Sequence, residues 1–231
     1  MSNTDKCWMR LRQYQFWFLI SMVSILITIP SISAWAADEQ QLVDKAEMTI
    51  INLAAENEWF RDHVKDARAI FIVPEYLKGA FIFGAAGGRG VLLVRDGHNW
   101  SQPAFYDMVE GSFGFQLGGS SSEIIVVVRT QRGLESFFTH DFRLGGDLSI
   151  AAGPVGAGAG GGGLTADVVS FAKTKGAYAG VSVEGAVVRI DSESNRLYYG
   201  KSVRPTDIVL TDSVFNPGSM GLRLAAKKVG R

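Results

Sequence analysis

The chain has 231 residues, 47% of them apolar and 20% charged, and its Lys+Arg and Asp+Glu counts are equal. That length holds one sizeable core or a small pair of domains, and the apolar fraction excludes a disordered chain. The even charge argues against nucleic acid, which calls for a marked basic surplus, and the single cysteine, Cys7, excludes an internal disulfide.

The N-terminus has the pattern of an export signal. Lys6, Arg10 and Arg12 precede an apolar run from Phe16 to Ile29, Pro30 ends it, and Ala34-Trp35-Ala36 offers small residues at a cleavage site. Cleavage after Ala36 leaves 37–231 as a single domain with two more acids than bases, free of cysteine, in the periplasm or outside the cell. The alternative is an uncleaved anchor, since the run from Phe16 to Ala37 is just long enough to span a bilayer.

From Asp38 to Asn57, Leu42, Ala46, Ile50, Leu53 and Ala54 recur at three- and four-residue steps, which predicts a helix. A second, shorter helix is expected through about Ala67, with Trp59, Phe60 and Val64 on one face. From residue 69 the period changes to that of strands. "AIFIV", "AFIFGAA", "GVLLVR", "EIIVVVR", "ADVVSFA", "AYAGVSV" and "AVVRI" are rich in β-branched or aromatic residues and bounded by turn formers. Their short connections predict a mostly antiparallel sheet, curved or barrel-like. "QRGLESFFTH" (131–140) interrupts the strands as a short helix, and "MGLRLAAKKV" (220–229) is expected as a C-terminal helix with Arg223, Lys227 and Lys228 on its polar face. The fold class is α+β, with helices at both ends.

Two glycine clusters invite a phosphate-loop reading. Residues 84–90, "GAAGGRG", lack the G-x-G-x-x-G spacing and precede a strand, so no helix N-terminus faces a pyrophosphate; they are expected to bend a β-hairpin. Residues 158–165, "GAGGGGLT", have P-loop spacing, but Leu164 stands where the lysine is needed. They overlap the glycine-rich run 145–163, with part of "DLSIAAGPVGAG" expected as a strand whose small residues admit a neighbouring backbone. His63, His98 and His140 are scattered, no G-x-S-x-G elbow occurs, and no metal set or cofactor is indicated.

Four separated motifs carry a resemblance. They are Gly88-Arg89-Gly90-Val91 followed by Trp100-Ser101-Gln102-Pro103-Ala104; Gly111 to Gly118 with Gly114 and Gln116; "LGGDLSIAAGPVG" with Gly153 and Pro154; and "KGAYAGVSVEG" with the closing "LYYG". In this order they resemble the SYLF-domain family over about residues 40–225. The glycines, Trp100, Ser101 and Pro103 are read as structural. The resemblance implies a lipid-binding module without catalysis, since eukaryotic members are described as binding phosphoinositides and some bind actin, through an amphipathic N-terminal helix and basic residues. In an exported protein the surviving expectation is an anionic membrane lipid. Candidate contacts are Lys78, Arg89, Arg95, Arg223, Lys227 and Lys228, with the helix from Asp38 laying its apolar face on the bilayer. The alternative is a structural or protein-interaction module of the cell envelope, with that helix packed on the sheet; an enzyme acting on a lipid or glycan is the third option.

Overall fold

A computed structural model describes residues 32–80, 83–113, 118–153, 166–174, 177–178 and 183–231. The chain divides into two units, Met1–Trp35 and Ala36–Arg231. The architecture that follows is that of the second, and residues 1–31 of the export segment and the motif residues Gly114, Gln116 and Pro154 lie outside the described residues.

Two helices come first, α1 (Ile32–Glu56) and α2 (Glu58–Lys65). The Asn57 side chain separates them by accepting from the Phe60 N–H at 2.9 Å, an N-cap that starts α2 afresh. The strands are β1 (Ala69–Ala80), β2 (Phe83–Asp96), β3 (Asn99–Trp100), β4 (Ala104–Phe113) and β5 (Gly118–Val128). After the short helix α3 (Gln131–Ser136) come β6 (Asp141–Arg143), β7 (Ile150–Ala152), β8 (Val168–Thr174), β9 (Ala177–Tyr178) and β10 (Val187–Ile190). Helices α4 (Ser192–Tyr199) and α5 (Pro205–Val209), a 3-10 turn at Pro217–Ser219 and α6 (Met220–Val229) complete the chain.

Among the described residues the strands form one sheet in the order β6-β10-β4-β2-β1-β5-β8-β7, with β3 beside β2 and β9 beside β8. It curls into a half-barrel. Every pairing is antiparallel except β7 with β8. The central strands are covered on both sides. Ile70, Ile72, Val91, Leu93, Ile125 and Val127 face a core shared with α1, α2 and α6. Their neighbours Phe71, Val73, Leu92, Ile124 and Val126 face the inside of the curl, where Phe71, Tyr106, Phe137 and Phe142 pack edge to face. Burial on both faces explains why these strands read as unbroken apolar runs instead of alternating ones.

Two expectations need correction. The glycines at 84–90 do not bend a hairpin. They lie inside β2, where Gly84 pairs with Ala80 and Gly87 with Leu77, and the connection between β1 and β2 is residues 81–82. The reason is on β1, which carries a bulge: its register against β2 shifts between Ile72 and Leu77, around Pro74, a residue with no N–H to give a ladder. The bulged backbone leans over β2, so a Cβ on Gly88 would collide with the Glu75 carbonyl and one on Gly90 would stand 2.6 Å from the Ile72 carbonyl. Second, α1 does not offer its apolar face to a membrane: Val43, Ala46, Ile50 and Leu53 are buried against the sheet. The motif "LYYG" closes α4, a helix capped by the Asp191 side chain at its start and by left-handed Gly200 at its end.

Gly88→Ala is expected to cost about 1–3 kcal/mol, the range for forcing extra atoms into a packed site. Gly111→Ala, where an added methyl meets open space, should stay within about 0.5 kcal/mol of the parent. Urea unfolding of the two variants side by side measures the difference.

Candidate functional site

The six cations singled out from the sequence divide between two places. Arg89, near the middle of β2, is held by acids. Its guanidinium donates to Asp38 Oδ2 at 2.9 Å, Glu39 Oε1 at 2.5 Å and Ser194 Oγ at 2.6 Å, with Asp191 Oδ2 at 3.5 Å. Burial works against its charge, yet Glu39, Asp191 and Asp38 together outweigh it and raise its pKa above the usual guanidinium value. Glu39 is only 3% exposed, so Arg89 compensates a carboxylate taken out of water. This cluster ties α1 to β2 and α4. Lys78 is likewise paired, 3.2 Å from Glu110 Oε2, which also accepts from the Tyr76 hydroxyl at 2.9 Å. Burial, then Glu110, push the Tyr76 pKa upward, so the phenol stays a donor.

Of the other four, Arg95, Arg223 and Lys227 meet around Trp100, and Lys228 stands next to Lys227 on α6, exposed, on the side toward α1. The β2–β3 turn passes through Gly97 at φ 56°, a left-handed conformation suited to glycine, and delivers Trp100 to a site where it is 1% exposed. The Arg95 guanidinium lies 4.4 Å from the Trp100 ring centre. Its Nε donates to the Ala67 carbonyl at 2.7 Å and its Nη2 to the Val64 carbonyl, which closes the end of α2 two residues before the expected boundary. Burial lowers the Arg95 pKa, and Asp66 opposes the shift. From α6, Arg223 Nε donates to the Trp100 carbonyl and Lys227 Nζ to Asn99 Oδ1, each at 2.8 Å. Ser101 Oγ accepts from the Val94 N–H at 3.0 Å, and the Pro103 carbonyl accepts from the Tyr199 hydroxyl at 2.6 Å. The "WSQP" segment is therefore where the hairpin, α4 and α6 join.

Among the described residues, Arg95, Arg223, Lys227 and Lys228 make no ion pair with a carboxylate; Asp66 and the exposed Asp96 are the acids on the adjoining turns. A cleft of about 400 Å³ opens between Arg95, His98, Lys227, Gly230 and Arg231. Beside it Met220 and Leu224 stand 55% and 58% exposed, one helical turn apart. The sequence reading missed His98, Arg231 and this apolar pair. The four-residue spacing of Met220 and Leu224 was a visible signal, whereas the approach of α6 to the β2–β3 turn was not. Along β2, Arg89 lies six residues from Arg95, about 20 Å at strand rise, so it does not belong to the corner. Among the described residues there is no cluster of three or more His, Cys, Asp or Glu able to hold a metal, and no helix long and apolar enough to cross a membrane.

Arg89→Met is expected to lose roughly 2–3 kcal/mol of stability, somewhat below the cost of stranding a fully buried charge because the guanidinium is partly open to solvent. Adding Glu39→Gln should recover part of that loss. A double-mutant cycle by urea unfolding reads both outcomes.

The family described as "Ysc84: Las17-binding protein actin regulator" matches residues 109–229, from β4 to the end of α6. "LAS seventeen-binding protein 3" of Saccharomyces cerevisiae is 36% identical over 148 residues, 60% of this chain and 32% of the relative. "Protein YSC84" of the same species is 34% identical over 146 residues, 59% of this chain and 31% of its own length. "SH3 domain-containing YSC84-like protein 1" of Homo sapiens is 32% identical over 143 residues, 59% of this chain and 42% of the relative. The chain thus spans about a third of the yeast proteins it matches and about two fifths of the human one. With more than half of its length covered by the family match, and with the glycine, "WSQPA" and "LYYG" motifs placed in one fold, the chain belongs to the Ysc84 family, whose shared unit is the SYLF domain.

Proposed function

We propose that this chain is a binding module, without catalysis, that docks on an anionic lipid surface through the corner formed by α6 and the β2–β3 turn. The observation that carries the reading is the combination at that corner: Arg95, Arg223, Lys227 and Lys228 without carboxylate partners among the described residues, beside the exposed Met220 and Leu224. Each cation near an anionic membrane contributes about 1 kcal/mol, and a fully buried Leu or Met adds roughly 1.5–3 kcal/mol. Several such contributions together are enough for reversible attachment, and no single one is. The docking element is then the C-terminal helix, because the apolar face of α1 is already used by the core.

In this reading residues 1–36 serve export and the domain works in the periplasm or outside the cell, or stays anchored if the segment is retained. A second reading is favoured by the name of the yeast relative LAS seventeen-binding protein 3 and by the family description, both of which speak of binding a protein: the same corner would then meet an acidic protein surface.

Flotation of the full chain with anionic and with zwitterionic vesicles tests the first reading. Binding to anionic vesicles should exceed that to zwitterionic ones and fall with salt. Lys227→Glu with Lys228→Glu should reduce it at least tenfold, because reversing two interfacial charges removes about 2–4 kcal/mol. Lys78→Gln should leave it within about twofold, since that ammonium is already paired with Glu110. Equal binding to both vesicle types, or none, overturns the lipid reading in favour of a protein partner.

A further inference from the structure

On the flank of the same corner a groove of about 510 Å³ runs between α1 and α6. Its walls are Ile51, Ala54 and Ala55 on one side and Leu224, Ala225 and Val229 on the other. Ile51 is 42% exposed, and with Leu224 it leaves apolar surface facing water. The two helices run in the same direction: Gln40 donates to the Gly218 carbonyl, Glu47 lies over Gly221, and the end of α6 reaches α2. The polar rim is consequently sorted by sign, with Glu47 at one end and Arg61 and Lys228 at the other. Arg61 spends one nitrogen on the Ala54 carbonyl, and Lys228 is exposed with no ion pair among the described residues. The apolar stretch from Glu47 to Ala55 is about 12 Å long at helical rise. Small side chains, Ala54, Ala55, Gly221 and Ala225, form much of the lining, so the groove is bounded mainly by backbone and methyl groups, a surface that an unbranched alkyl chain can follow.

We propose that this groove holds a single alkyl chain with an anionic head, the chain lying along Ile51 and Leu224 and the head meeting Arg61 and Lys228. Glu47 at the far end repels an anionic head and so sets one orientation. The volume falls within the range of small-ligand sites, and the few polar groups are where they would fix direction. The inference rests on the reading of the corner as a place where anionic amphiphiles are met, and it adds a site for an individual molecule next to the surface that docks on the bilayer.

The test uses the full chain and dodecanoate with a photoreactive diazirine at its chain end, followed by identification of labelled peptides. Labelling is expected within 47–56 or 220–229 and should be competed by plain dodecanoate. It should fall at least tenfold in Ala55→Trp, which fills the groove from an exposed position without entering the core. In Lys228→Glu it should weaken at least fivefold. If Ala55→Trp loses the parent circular dichroism spectrum, Leu224→Trp takes its place. No labelling, labelling confined to residues before 37, or groove labelling that neither tryptophan reduces overturns the proposal. Vesicle binding separates the two ideas. Salt-sensitive vesicle binding with no groove labelling overturns the groove alone. Groove labelling in a chain that shows no preference for anionic vesicles overturns the surface reading together with the basis of this one.

Discussion

Burial of β1, β2 and β5 on both faces is the constraint that the other elements answer. A strand with apolar side chains up and down must be covered twice. One cover is supplied by α1, α2 and α6; the other is the sheet itself, which curls until β4, β10 and β8 enclose the cluster of Phe71, Tyr106, Phe137 and Phe142. The bulge at Pro74 belongs to the same demand. It adds one residue to β1, strengthens the local twist, and presses the β1 backbone onto β2, which is why β2 carries glycine at 88 and 90.

The helix layer is then fastened at two points, and the chemistry of the fasteners divides the cations into two kinds. Near the start of the domain part of α1, Arg89 gathers Asp38, Glu39 and Asp191 and has little charge left to offer. At the other end, Arg95, Arg223 and Lys227 satisfy neutral oxygens: the carbonyls of Val64, Ala67 and Trp100, and the amide of Asn99. A cation hydrogen-bonded to a neutral acceptor is positioned without being neutralised. The cations around Trp100 are thus held in place by neutral oxygens, without an ion pair to a carboxylate among the described residues.

Local pattern made much of this legible. The eight-residue spacing from Ala46 to Ala54, the β-branched runs and the Met220–Val229 helix were all visible as periodicities, because each depends on residues within one or two turns. The N-cap at Asp191 and the glycine at 200 are equally local signals for α4. The glycines of β2 were misread for a different reason. A close approach by a neighbouring strand and a turn call for the same residue, and only the partner's register tells them apart.

By itself the sequence determined the classes of element, their order, the antiparallel curved sheet and the family motifs, since composition and short-range spacing decide these. Only the tertiary structure decided which cations are compensated. Arg89 and Arg95 are six residues apart on one strand and look alike in the sequence, yet one faces three carboxylates and the other a ring and two carbonyls. The difference comes from α1, α4 and α6, elements distant in the chain that the core brings to the middle and to the end of β2, and Coulomb interactions depend on that final separation and not on position in the sequence.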